Sequence, residues 1–294
     1  MADTKQHATR RALRREIAGT IGLLTDEHDF TAMRCYRTFT FDDYEPYLRQ
    51  VEALLRSRAN EGSHTTVALF DPEEYAEFCA ETGLAPDAPA SRARFTAELA
   101  TTGPTLPYEG QPLVELAREL IDEAARQATQ EHASEFLSHI GPCAVCGEDI
   151  GRAALVRASE LLLRIFNTAY PGHRQLVCRV ADAPENLVAV LHSEGDSQLE
   201  ETETLVLTAV LAFGIAAQNA GRLVMRTSAP GTSDRVYGWR LRGDGLRPLS
   251  EAEVSDAYRI DVQAACIDVP ESNVDYCEPP DLGEAAQPGG GHSH

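Results

Sequence analysis

Between Leu199 and Gln218 the chain is apolar on nearly every side, and in the stretch Leu205–Ala217 only Thr208 and Gly214 interrupt the run. A helix of this composition has no face suited to water, so other elements must surround it. The apolar run Leu205–Ala217 is also too short to cross a bilayer, where about 20 apolar residues are needed. The rest of the chain therefore has to supply layers around one buried helix. Two pairs of short β-type runs flank it: Gln175–Val180 with Leu187–His192, and Arg222–Thr227 with Arg235–Leu241. The gaps Ala-Asp-Ala-Pro-Glu-Asn and Ser-Ala-Pro-Gly-Thr-Ser-Asp are rich in turn formers, so each pair reads as a hairpin. Hairpins with helices between them favour an α+β fold over a repeated βαβ pattern. The expectation is a mixed or antiparallel sheet with several amphipathic helices and one largely buried helix.

The amphipathic helices follow from apolar residues at helical spacing. Residues 5–24 carry Leu13, Ile17, Ile21 and Leu24 on one stripe and Arg10, Arg11, Arg14 and Arg15 beside it. Thr25–Asp29 reads as a linker, and Arg34–Phe41 alternates like a half-buried strand. A helix is expected from Asp42 to about Asn60, opened by a capping box of Asp42 and Glu45, with Tyr47, Val51, Leu54 and Leu55 inward. His64–Phe70 is a second expected strand. Asp71-Pro72-Glu73-Glu74 then has the chemistry of a helix start, a carboxylate cap followed by proline and acids in the first turn. Ser250–Glu253 and the acids Glu200, Glu201 and Glu203 read the same way. Leu84–Pro112 is a proline-rich connector with a short helical pattern over 91–100. Helices over 113–140 and 153–168 complete the pattern, the first stopped by Gly141-Pro142. The organisation read from this is a basic amphipathic arm and linker (1–32) and an N-terminal α/β region with the connector (33–112). A helical and hairpin region (113–260) and an irregular acidic tail (261–294), flexible at its end, follow.

The 294 residues are 43% hydrophobic, enough for a sizeable core, and carry a net charge of −20. Residues 1–15 hold five basic side chains and one acidic, a net +4, which leaves −24 on the remainder. Such a body argues against a broad nucleic-acid or anionic-membrane surface, and accommodates basic proteins, cations or no charged partner at all more easily. Lys5 is the single lysine beside 25 arginines, a bias expected of a GC-rich bacterial genome. Seven cysteines in a chain of this size suggest reduced thiols in a cytoplasm. The opening residues lack the pattern of a secretory signal.

One stretch places reactive side chains at a spacing that chemistry favours: Gly141-Pro-Cys-Ala-Val-Cys-Gly-Glu-Asp-Ile-Gly151. Cys143 and Cys146 can share a metal ion or close a small disulfide. His139 precedes them in the last turn of a helix, Glu148 and Asp149 follow, and Cys277 or Cys178 would be the fourth ligand of a zinc site. Cys-Ala-Val-Cys-Gly resembles the knuckle of zinc ribbons, in which glycine lets the backbone turn toward the bound thiolates. The second Cys-x-x-Cys of that family is absent here. The same pair at a helix start would suit redox exchange, although thioredoxin-like folds place the pair after a strand. As a third reading, both thiols pack at a helix corner.

Phosphate-loop, dinucleotide-turn, nucleophile-elbow and His-Glu-x-x-His signatures are missing. His64, His173 and His192 read as hydrogen-bonded structural side chains. In Arg235–Arg242 the parity of a strand puts Tyr237 and Trp239 on the core side. The leading expectation is a protein-binding or regulatory protein acting through its acidic body and the arginines of the arm. The alternatives are a zinc- or thiol-dependent enzyme centred on Cys143 and Cys146, and a small-molecule sensor with an apolar pocket.

Overall fold

The computed structural model describes residues 19–195, 199–243, 245–264 and 274–282. The fold is α+β, with two mixed sheets and eight helices among the described residues. The chain divides into two compact units, residues 1–125 and 126–294. Arg10, Arg11, Arg14 and Arg15 of the expected arm lie outside the described residues.

The first unit is built on a three-stranded sheet, β1 (Gly19–Leu23), β2 (Thr65–Leu69) and β3 (Thr105–Pro107), in the order β1-β2-β3. β1 runs parallel to β2, and β3 antiparallel to it. Helices α1 (Glu27–Met33), α2 (Tyr44–Asn60), α3 (Pro72–Thr82) and α4 (Pro89–Thr102) accompany it. Four sequence expectations are corrected here. Residues 19–23 are a strand, not the end of a helix over 5–24, because Gly19 and Gly22 are poor helix formers and the backbone between them pairs with Thr65–Leu69. The expected linker begins α1 instead, with Asp26 capping it through the Asp29 amide at 2.8 Å. Arg34–Phe41 forms no strand; its alternating aromatics serve an aromatic cluster, Phe39 lying 5.5 Å from Phe30 and Phe41 5.1 Å from Tyr47. The cap of α2 is Asp43, with no side-chain capping bond, so the Asp42/Glu45 box does not form.

Asp71 caps α3, accepting from the amides of Glu73 (2.7 Å) and Glu74 (3.3 Å) as its local sequence requires. Tyr47 is buried and donates no charge to this core; burial pushes its hydroxyl up to about 12.

The long helix α5 (Leu113–His139) contains the point of division, and α6 (Ile150–Thr168) follows it. The second unit carries six strands: β4 (His173–Val180), β5 (Leu187–Glu194), β6 (Gly221–Ser228), β7 (Asp234–Arg242), β8 (Gly245–Pro248) and β9 (Val274–Tyr276). Their order is β5-β4-β6-β7-β8, antiparallel throughout, with β9 parallel to β7. Both expected hairpins are present. Within the stretch expected to be irregular, β9 joins the sheet.

The sheet has two covered faces. On one, α6 and α7 (Glu201–Ala216) pack against Leu176, Leu191, Leu223, Tyr237 and Trp239. Helix α7 is the expected all-apolar element, buried continuously from Ala209 to Ile215. On the other face α8 (Glu251–Ala264) sets Val254, Ala257 and Tyr258 against Val224 and Val236. No helix among the described residues is long and apolar enough to cross a membrane.

Candidate functional site

The loop between α5 and α6 is tied at both ends. Gly141 and Gly147 adopt φ of +76° and +75°, the left-handed region that glycine reaches without a steric penalty. The Cys143 amide donates to Glu148 O at 2.7 Å, the Gly147 amide to Cys143 O at 2.8 Å and the Ile150 amide to Gly141 O at 3.2 Å. Pro142 and Asp149 form an isolated antiparallel bridge. Asp149 then caps α6, accepting from the Arg152 amide at 2.7 Å. A closed turn thus presents Cys143 half-buried and Cys146 exposed.

The other expected ligands take other work. The His139 ring turns back along its helix, its Nδ1 2.8 Å from Glu135 O. Cys277 follows β9; its amide donates to Val236 O at 3.0 Å. Burial, then the charge of Asp275, pushes its thiol up, which disfavours the thiolate that metals bind. Cys178 lies in the core of β4 with no exposed surface. No group of three or more His, Cys, Asp and Glu side chains suited to a metal ion occurs among the described residues.

A second constellation emerges from strand register. Arg179 of β4 stands opposite Arg222 of β6, Arg222 opposite Arg240 of β7, and Arg240 opposite Arg247 of β8. Four arginines thus cross four neighbouring strands in one row, about 14 Å long at the usual interstrand spacing. They lie on the α8 face, because Arg222, Val224 and Arg226 alternate in step along β6. Like charges directly opposite destabilise a sheet. Part of the charge is answered by α8: Arg240 meets Glu253 at 2.5 Å, and Glu253 also accepts from the Ser250 amide and hydroxyl. The Ser250 amide, followed by its hydroxyl and Arg240, holds the Glu253 carboxyl below its ordinary range. Beside the row lies an open cleft of about 370 Å³, lined by Arg179, Arg222 and Arg240 on the sheet and Leu249, Asp256 and Ile260 opposite.

Farther along the same face the polar groups are locked. Arg226, nearly buried, binds the Asp234 carboxylate and donates to the Tyr258 hydroxyl at 2.6 Å, tying the β6–β7 hairpin to α8. Burial alone would lower Arg226, but the bonds to Tyr258 and Asp234 outweigh it and raise it. His192, on β5 at the open edge of the sheet, donates its backbone N–H to Glu203 at 2.7 Å, and its Nδ1 lies 3.1 Å from the same carboxylate. That bond raises the His192 imidazole above its usual value. Burial would raise Glu203, yet the His192 ring and amide more than offset it and hold the carboxyl low.

A family described as a domain of unknown function (DUF8829) matches residues 8–111, about a third of the chain. The match covers β1 to β3 and stops before α5, so the thiol turn and the arginine row both lie outside it. No curated protein matches the chain, and no solved structure does.

Proposed function

We propose that the chain is a regulatory binding protein, and that its second unit holds a small molecule bearing a carboxylate or phosphate beside an apolar portion. The observation that carries this reading is the arginine row along the cleft. Arginine stays protonated at every physiological pH and presents five N–H donors in a planar fork, so it grips anions without exchanging protons. A guanidinium already engaged by one carboxylate keeps further donors. Leu249 and Ile260 on the opposite wall suit an apolar portion, and the volume falls within the range of small-molecule sites. Glu253 and Asp256 on that wall repel an extended polyanion, which with the net charge of −20 disfavours nucleic acid.

Isothermal titration with inorganic phosphate, followed by a panel of aryl and alkyl carboxylates and phosphate monoesters, tests the reading. Removing one arginine from a charge-assisted contact costs about 1.5–3 kcal/mol, so Arg179→Ala or Arg222→Ala should weaken binding at least tenfold. Equal affinity when Arg179→Ala and Arg222→Ala are combined, or no heat from any probe, would overturn it.

The expected protein partner, met through the acidic body and the arm, is supported by the contrast of +4 on residues 1–15 against −24 elsewhere. Zinc- or thiol-dependent catalysis is a second reading, favoured by the exposure of Cys146. The arginine-rich composition and scattered cysteines support a bacterial cytoplasm.

A further inference from the structure

We infer that Cys143 and Cys146 are half of a zinc site, completed by the same two residues of a second copy, so that one Zn²⁺ joins two chains. Zinc takes four ligands at tetrahedral angles with Zn–S about 2.3 Å, which places neighbouring sulfurs about 3.8 Å apart. Two residues three positions apart on one closed turn can direct both thiolates to a single ion. Here the turn is closed by the bond from the Gly147 amide to Cys143 O, and the left-handed Gly147 folds the chain away after the second thiol. The turn is also anchored from below. A Cβ on Gly151 would lie 2.2 Å from Leu137 O, so the start of α6 rests directly on the last turns of α5.

Only two ligands come from this turn, and no group of three metal-binding side chains occurs among the described residues. A two-fold axis through the metal supplies the missing pair with identical geometry. A separate observation says what would come with it. Along α6, starting two turns past the thiols, Val156 and Leu163 are 55% and 64% exposed, and Val145 at the tip of the turn is 79% exposed. Val156 and Leu163 are seven residues apart and share one helix face. A second copy brought to the zinc would cover this stripe with its own.

Each copy carries −20, so the copies repel, and the zinc–sulfur bonds together with the apolar contact must outweigh that repulsion. Binding releases four thiol protons and leaves a dianionic zinc tetrathiolate, with no change of oxidation state. This inference is independent of the anion cleft, and the readouts differ.

The test is light scattering with elemental analysis on the full chain, kept reduced with a phosphine and equilibrated with ZnCl₂. The expected result is one zinc per two chains in a dimer that a chelator returns to monomer. C143S/C146S should remain monomeric and zinc-free with an unchanged circular dichroism spectrum, while His139→Ala and Cys277→Ser should leave the stoichiometry as it was. Val156→Asp with Leu163→Asp should weaken the zinc-bound dimer at least tenfold. Cobalt(II) on the unmutated chain gives a readout that needs no variant: four-sulfur tetrahedral absorption saturating at half an equivalent per chain. One metal per monomer, mixed nitrogen and sulfur absorption saturating at one equivalent, no retained metal, or a dimer indifferent to chelator and to C143S/C146S would each overturn it.

Discussion

Strand β7 presents two surfaces on one backbone. Tyr237, Trp239 and Leu241 face the α6 and α7 side and are buried without exception. Val236, Gly238 and Arg240 face α8, and there the burial stops partway: Val236 is covered while Arg240 lines a cleft. The hydrogen bonding is shared, so residue parity alone separates a surface that stabilises from one that can recognise a ligand. Two helices close the first face. One helix leaves the second open beyond it, and that is where the charge collects.

The comparison is tested most severely by Trp239→Ala. It removes a side chain 1% exposed, and a loss of about 3–5 kcal/mol is expected in urea unfolding. A loss below 1 kcal/mol would mean that this face is not the core it resembles. On the other face Asp234→Ala leaves the nearly buried Arg226 with only Tyr258 beside it. Because Asp234 is partly exposed, about 2–3 kcal/mol is expected, less than for a wholly buried pair. That would separate the structural arginine of this face from the row beyond it. Arg222→Gln should change stability by no more than about 0.5 kcal/mol, as surface substitutions do, yet weaken phosphate binding at least tenfold. Loss of stability without loss of binding would reverse the roles assigned to the two ends of the α8 face.

The smallest effect is a dependence on pH. The folded His192 value is raised from 6.5, so its contribution is complete below the unfolded value and fades as pH rises through the folded one. The folded Glu203 value is lowered from 4.5, so its contribution is present above that value and is lost as pH falls through the folded one. Both act together between about pH 4.5 and 6.5. Since the imidazole is more than half exposed, screening reduces the pair to about 0.5 kcal/mol. Melting temperatures of Glu203→Gln and the parent should differ most in that window, and the difference should shrink above it as the imidazole loses its proton.

Much of the second unit was legible because its signals are local. An element apolar on all sides, as Ala209–Ile215 is, can only be a buried helix, and two turn-rich gaps define two hairpins. Asp71 was readable as a cap for the same reason. The first unit misled where tertiary packing decides. Tyr36, Phe39 and Phe41 alternate as in a strand, yet they are spaced to meet other rings. Gly22 was a signal for β1 that the helical stripe of Ile17, Ile21 and Leu24 obscured; a Cβ there would meet the Phe70 ring at 2.8 Å. The thiol turn was visible from spacing. The arginine row was not, because Arg179, Arg222, Arg240 and Arg247 become neighbours only through pairing register.

The carboxylate that Glu203 lays on the backbone N–H of His192 has a further effect at the rim of the larger sheet. β5 ends the strand order, and an outermost strand with open amides is a template for other chains. Glu203 fills one of those positions with a charge, so an incoming peptide would have to displace an anion before it could zip on. Acid storage neutralises that guard, and Glu203→Ala removes it. Fibrous, thioflavin-positive aggregates should form earliest in those two circumstances.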